Sequence, residues 1–273
     1  DYNVVVAKDA VAEASAERHE ASLRKVGQAF GEVRTSKEIA DLWNAAPERG
    51  PEISIEAKRD RALTSLTDRV DPAHTALMLI DFQHDFCAIE GEMGRLDEDL
   101  APMARAVTGA MRLLDAARAV GMPVIHVGAE YGAADSSDVS LFASADVSGT
   151  YCCRPGTTGA SFMPQVAPRP GEWIVTKRRF SGFVDTRLDL LLRSNNIRSL
   201  VVGGVATQCC VESTVRDASL RDYYVVVGRE ATGARGRMMH LHEASLEVMG
   251  LYFADVRGID EIIAALPKGQ KTG

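Results

Sequence analysis

Three side chains able to carry out acyl transfer each come directly after an apolar run. Asp81 follows Ala76-Leu-Met-Leu-Ile80. Lys177 follows Trp173-Ile-Val-Thr176. Cys210 closes Ala206-Thr-Gln-Cys-Cys210, which follows Ser199-Leu-Val-Val-Gly-Gly-Val205. A thiol attacks only as thiolate, and an ordinary cysteine is mostly protonated at neutral pH. A nearby ammonium and the N-terminus of the helix expected after Cys210 both favour the anion. Together they are expected to bring the thiol from about 8.5 toward neutrality. A carboxylate can take the thiol proton, hand it to a leaving amine and later activate water. Backbone N–H groups across residues 206–210 point where an oxyanion would form.

These residues need elements to position them, and the pattern from Asp71 onward supplies them. Runs at 76–80, 123–127, 173–176, 199–205, 223–227 and 251–256 read as strands. Those apolar throughout have the character of strands buried on both faces. Segments 101–120, 186–194, 211–222, 238–249 and 259–266 read as helices. Gly121 is a stop signal after the first of them. Alternating strands and helices imply a parallel sheet with helices on both faces. Sites in such sheets form beyond the carboxyl ends of the strands, so Asp81, Lys177 and Cys210 are expected on one edge. The Gly-, Ser- and Ala-rich stretch from Glu130 to about Pro170 reads as a long functional loop.

Residues 1–70 read as a separate helical arm and lead-in, and residues 71–273 as the main domain. Ala12, Ala16, Leu23, Val26 and Phe30 can line one face of a helix, and Ile39, Leu42 and Trp43 one face of a second over Ser36–Ala46. Pro47 and Gly50-Pro51 end the second helix. Too little apolar surface is present for the arm to fold alone, so it is expected to pack on the main domain or on a second subunit.

Of 273 residues, 46% are apolar and 25% charged, and the net charge is −7. That balance disfavours an electrostatic grip on nucleic acid. No apolar run reaches the roughly 20 residues of a membrane span. Asp1-Tyr2-Asn3 opens no basic-then-apolar signal, and a start other than Met leaves a trimmed N-terminus open. The five cysteines include the adjacent pairs Cys152-Cys153 and Cys209-Cys210, a poor disulfide framework. Reduced thiols and a cytoplasmic location are expected.

Three stretches resemble segments of the isochorismatase-like cysteine hydrolase family: Thr75–Phe86, Val175–Phe183 and Gly204–Asp217. The resemblance covers about Asp71 to Leu266. It implies a three-layer αβα fold around a mostly parallel sheet, with the helical arm as an addition. It also implies that Asp81 is the general base and acid, Lys177 the activating cation and Cys210 the nucleophile. The flanking Ala206-Thr207 and Val211-Glu212 select Cys210 over Cys209. The family pattern further places a non-proline cis bond at Val205–Ala206, with the N–H groups of Ala206 and Cys210 as the oxyanion hole. Phe86, Gln83, Arg179, Gln208 and Phe183 are candidate substrate-binding residues, and Arg178 or Arg179 is a candidate partner for a substrate carboxylate. Gln208 departs from the Asn or Asp often found in relatives.

The metal-binding members carry a Trp-His-Pro signature after the second strand, where this chain has Gly128-Ala-Glu-Tyr-Gly-Ala. No metal and no cofactor are expected, with His84 and His126 in structural or solvated roles. The resemblance points to hydrolysis of a C–N bond in a small ureidoacrylate-, biuret- or N-carbamoyl-type compound, releasing ammonia through a thioester-type acyl-enzyme. Its alternatives are a maleamate-like amidase and a non-catalytic small-molecule binder. The expected partners are a small-molecule substrate, water and further copies of the chain in a homodimer or homotetramer, with neither nucleic acid nor membrane.

Overall fold

The computed structural model describes residues 4–13, 15–29, 31–45, 55–96, 99–135 and 152–267. Phe30, Pro47, Gly50-Pro51 and residues 136–151 of the long loop lie outside the described residues. Two compact units divide the chain, Asp1–Ala62 and Leu63–Gly273. The division falls before residue 70 because Leu63–Val70 is fastened to the larger unit. The Arg69 guanidinium donates to the Leu63 carbonyl and pairs with Asp255 at 2.9 Å, and the Arg69 carbonyl accepts from Thr75 and Ser199.

The smaller unit holds β1 (Val5–Ala7), α1 (Ala16–Ala29), β2 (Glu32–Arg34), α2 (Ser36–Ala45) and α3 (Ile55–Arg59). Helix α2 starts on a reciprocal cap: the Thr35 hydroxyl accepts from Glu38 N–H, and the Glu38 carboxylate accepts from Thr35 N–H at 2.6 Å. β1 and β2 pair in parallel, Val5 opposite Glu32. These strands were not expected; three residues are too few to show a period.

The larger unit opens with α4 (Leu66–Arg69) and then builds one sheet. Its first half comprises β3 (Thr75–Ile80), α5 (His84–Cys87), α6 (Glu92–Arg95), α7 (Ala101–Ala119), β4 (Val124–Ala129) and β5 (Trp173–Lys177). Its second half comprises α8 (Leu188–Ser194), β6 (Ser199–Val205), α9 (Glu212–Ser219), β7 (Tyr224–Gly233), α10 (Met239–Tyr252), β8 (Asp255–Arg257) and α11 (Ile259–Ala265). The strand order is β5-β4-β3-β6-β7-β8, and every pairing is parallel. The last strand lies at 255–257 rather than 251–256, because Leu251 and Tyr252 finish α10.

Strand β3 is buried along its whole length, and its side chains alternate between two cores. Leu77 and Leu79 join Ala110, Leu113 and Leu114 of α7 on one face. Met78 and Ile80 join Leu188, Leu192, Val215 and Leu246 on the other. Each such aliphatic side chain contributes about 1.5–3 kcal/mol by leaving water, so the central strands are fixed from both sides. The chain leaves β3 toward β4 and β5, then returns to β6 on the other side of β3. The ends of β3 and β6 therefore flank the point where strand order reverses, the position at which open α/β sheets bind ligands.

Candidate active site

Asp81 is the first residue past β3. Its N–H donates to the Val127 carbonyl at 2.8 Å, and its φ of 56° is left-handed. Few non-glycine residues adopt that conformation, and aspartate is among the least penalised. It turns the chain out of the sheet and leaves the carboxylate at the sheet edge. Lys177 is the last residue of β5, opposite Ala129 of β4, and its long side chain runs inward across the strand ends. Cys210 lies in a wide π turn, Thr207–Val211, between β6 and α9. Val205–Ala206, immediately before that turn, is a cis peptide. Gly204 permits the approach: a Cβ there would stand 2.7 Å from the Ile80 carbonyl oxygen and 3.0 Å from Val211.

The three side chains meet. Lys177 Nζ lies 2.9 Å from Asp81 Oδ2, 3.4 Å from Cys210 Sγ and 3.1 Å from the Arg179 carbonyl oxygen. The ammonium donates hydrogen bonds to Cys210 Sγ and the Arg179 carbonyl, and its contact with Asp81 is an ion pair. Asp81 and Lys177 are fully covered, and Cys210 keeps 7% of its surface. Burial pushes the Asp81 carboxyl above its ordinary range, against the pull of Lys177 and the Cys210 thiol. Burial alone would lower Lys177, but Asp81 and Cys210 outweigh it and hold the ammonium charged. The Cys210 thiol is pushed well up by its contact with Cys209, by burial and by Asp81, with Lys177 opposing. The expectation of a thiol poised near neutrality is thereby corrected. The resting arrangement is a neutral thiol beside a buried ion pair, with Asp81 able to accept the thiol proton.

Thr214 ties this arrangement together. Its hydroxyl donates to the Cys210 carbonyl at 2.7 Å and accepts from Gly182 N–H at 3.0 Å, joining the Cys210 turn to the loop after Lys177.

The candidate substrate residues divide. Gln208 is half-buried, and its Oε1 is buried with no hydrogen-bond partner among the described residues. Phe86 is half-buried against the core on the α7 side. Arg179 is half-buried; its carbonyl serves Lys177, and its guanidinium donates to the Arg178 carbonyl at 2.8 Å. Arg178 approaches Glu130 at 3.5 Å. Gln83 does not fit a substrate role. It is 1% exposed, its amide nitrogen donates to the Ala129 and Ala160 carbonyls at 2.8 and 2.7 Å, and its oxygen accepts from Ala129 N–H at 2.7 Å. Phe183 does not fit either. It is buried in the core beneath Tyr223, with the Arg221 guanidinium 5.0 Å from its ring.

Sequence reasoning missed Asp85 and Tyr131. The buried Asp85 carboxylate accepts from Cys153 N–H at 2.7 Å and from Glu92 N–H at 3.1 Å. Gly159 packs on it so closely that a Cβ would stand 2.0 Å from its oxygen. The near end of the long loop is thus clipped to α5 and α6. Tyr131 sits by the triad: burial raises its phenol, and the charges of Lys177, Cys210 and Asp81 act on it. It lies at the start of the long loop, where no local pattern singles it out. Of the two histidines discussed for metal, buried His126 holds Glu172 at 2.9 Å through Nε2, and half-buried His84 opens α5. Among the described residues no group of three or more His, Cys, Asp or Glu is arranged to hold a metal ion, and no helix is long and apolar enough to cross a membrane.

A parallel three-layer αβα sheet with carboxylate, ammonium and thiol at its switch point is the framework of a hydrolase. The chain belongs to the isochorismatase family: residues 75–261 match the isochorismatase domain. It is 30% identical over 216 residues to ureidoacrylate amidohydrolase RutB of Pseudomonas syringae pv. syringae, covering 74% of this chain and 88% of the relative. To the Rhizobium rhizogenes protein of the same name it is 28% identical over 243 residues, covering 84% and 96%. A cysteine hydrolase from Pseudomonas syringae pv. phaseolicola superposes with a TM-score of 0.63 at 26% identity, covering 71% of this chain and 92% of that one. N-carbamoylsarcosine amidase from Thermoplasma acidophilum gives 0.55 at 25% identity, covering 68% and 97%. With these relatives, the chain is a hydrolase acting on carbon–nitrogen bonds other than peptide bonds.

Proposed function

We propose that the protein is a cysteine amidohydrolase of small ureido or carbamoyl compounds, with Cys210 as nucleophile. The observation that carries this reading is Lys177 Nζ standing 2.9 Å from Asp81 and 3.4 Å from Cys210, with Asp81 and Lys177 buried and Cys210 7% exposed. The names of the relatives, ureidoacrylate amidohydrolase and N-carbamoylsarcosine amidase, support the substrate class.

The chemistry runs in two halves. Asp81 takes the thiol proton as Sγ bonds to the ureido carbonyl carbon, and the oxygen becomes anionic. The N–H groups of Ala206 and Cys210 receive that charge; one such donor is worth about 100- to 1000-fold in rate. The C–N bond then breaks, and Asp81 gives its proton to the departing ammonia. Lys177 stays charged throughout, balancing first the Asp81 carboxylate and then the sulfur. In the second half Asp81 takes a proton from water, the hydroxide adds to the acyl carbon, the C–S bond breaks and the proton returns to sulfur. The product is a carbamate, which decays to an amine and carbon dioxide.

The test is ammonia release from ureidoacrylate, biuret and N-carbamoyl amino acids, beside maleamate. The expected outcome is release from at least one ureido compound, abolished in Cys210→Ala, and a trapped acyl group on the Cys210 peptide by mass spectrometry. Release from maleamate alone, or a Cys210→Ala variant as active as the parent, overturns the reading.

A further inference from the structure

Behind the nucleophile turn is a buried hydroxyl–imidazole contact that the chemistry above does not use. Thr207, the first residue of the turn, has no exposed surface, and His242 of α10 keeps 5%. Thr207 Oγ1 donates to the Gly233 carbonyl at the end of β7 at 3.0 Å and lies 2.7 Å from His242 Nδ1. A hydroxyl has one proton to give. With that proton on Gly233, the short contact requires His242 to donate from Nδ1. Burial lowers the His242 pKa, and the Glu243 carboxylate, 3.7 Å from Nε2, opposes that shift.

Helix α10 makes a second fastening from the same face. Ser245, three residues on and therefore beside His242 on the helix, donates its hydroxyl to Glu212. Glu212 is the first residue of α9, directly after the turn. One helix face thus grips the start and the end of the segment that carries Cys210. A wide π turn lacks the regular i→i−4 bonding that would fix it alone.

We propose that Thr207 and His242 form a positioning pair that sets the reaction rate by holding the Cys210 turn in register with Lys177 and Asp81. The inference rests on Cys210 being the nucleophile. Neither residue touches substrate; both act through the turn. A displacement of about 1 Å at a reacting atom can cost about 100-fold, so a loosened turn is read in kcat rather than in KM.

The experiment compares Thr207→Ser with Thr207→Val, and His242→Asn with His242→Gln. Asparagine keeps a donor near the Nδ1 position; glutamine moves it toward Nε2. Steady-state kinetics of ammonia release, the iodoacetamide rate at the Cys210 peptide and Tm are measured on each. Thr207→Val and His242→Gln are expected to lower kcat roughly 10- to 100-fold with KM within about threefold, and to change the alkylation rate of Cys210. Thr207→Ser and His242→Asn are expected to stay within about threefold of the parent in both readouts. The Thr207→Val/His242→Gln double variant should be no worse than its worse single, as for two ends of one contact. Equal behaviour of the asparagine and glutamine variants, or folded Thr207→Val with parental kcat and alkylation, overturns the pair. If Thr207→Val does not fold, the asparagine–glutamine contrast decides. A parent that releases ammonia from no ureido compound sinks the substrate reading instead, and the alkylation contrast still tests the pair.

Discussion

Lys177 Nζ lies 2.9 Å from Asp81 Oδ2, and neither side chain reaches solvent. A buried pair of this kind is costly to break from one side, because the remaining charge has no water to stabilise it. Lys177→Met is expected to lose about 3–5 kcal/mol of folding stability. The double variant Asp81→Asn/Lys177→Met, which buries no charge, is expected to recover most of that loss. Neither variant should retain more than about one thousandth of the parental kcat, since groups that act as a unit fail together. Urea denaturation and ammonia release on the same preparations check both halves. Recovery of activity with stability in the double variant would refute a catalytic role for the pair.

The acid side of the rate profile follows from the same burial. Asp81 must be ionised to accept the Cys210 proton, and its carboxyl is held above the ordinary aspartate range. The rate of the free enzyme therefore falls as pH drops through the raised Asp81 value, not through the usual value of about 3.9. kcat/KM against pH reports that group directly. An acid limb at or below the ordinary aspartate value would show that some other residue takes the proton.

The strands, and the meeting of Asp81 and Lys177 at their ends, are legible because both follow from burial. A parallel strand covered on both faces must be apolar throughout, as Ala76–Ile80 and Leu200–Val205 are. A polar residue that ends such a run stands out, as Asp81 does, whereas Lys177 ends the edge strand β5, where Ile174 is exposed. What the sequence hid depends on partners distant in the chain. Gln83 reads from the sequence as available to substrate, but its amide is spent on Ala129 and Ala160. Phe183 follows the lysine motif closely but turns into the core under Tyr223. The helix α10 runs on through Leu251 and Tyr252, whose apolar character mimics the start of a strand although both are exposed on the helix. The Thr207–His242 contact spans 35 residues, beyond any local pattern.

Gln83 yields a prediction about shape rather than chemistry. Its amide joins the end of β4 to Ala160 in the long loop, and the backbone nearby fastens the same part of the loop to the segment after β3, through Gln83 opposite Phe162 and through Met163 N–H to the Phe82 carbonyl at 2.8 Å. Gln83→Ala leaves Ala129 N–H and two carbonyls without that partner. A loss of about 1–3 kcal/mol is expected, with faster hydrogen exchange at Ala129 and through residues 158–163. Affinity-type behaviour, a raised KM with unchanged stability and exchange, would restore Gln83 to the substrate.

Glu172 anchors the start of the strand that ends in Lys177, and its charge gives a stability change with a defined sign. Burial raises its carboxyl. The Arg118 guanidinium at 2.7 Å, the Arg169 N–H at 2.8 Å and His126 at 2.9 Å outweigh that and hold it down to about 2. The unfolded chain titrates this group at its ordinary value of 4.5. The folded form therefore binds the proton less readily than the unfolded form. The stabilisation is fully present above 4.5 and is lost as pH falls toward 2. Glu172→Gln is expected to be less stable than the parent by about 1–3 kcal/mol at pH 7, and that difference should shrink as pH is lowered through this window. Urea denaturation of both proteins across the acid range measures it. A difference that stays constant with pH would mean that the side chain contributes by packing and hydrogen bonding alone, and that its charge does not hold β5 in place.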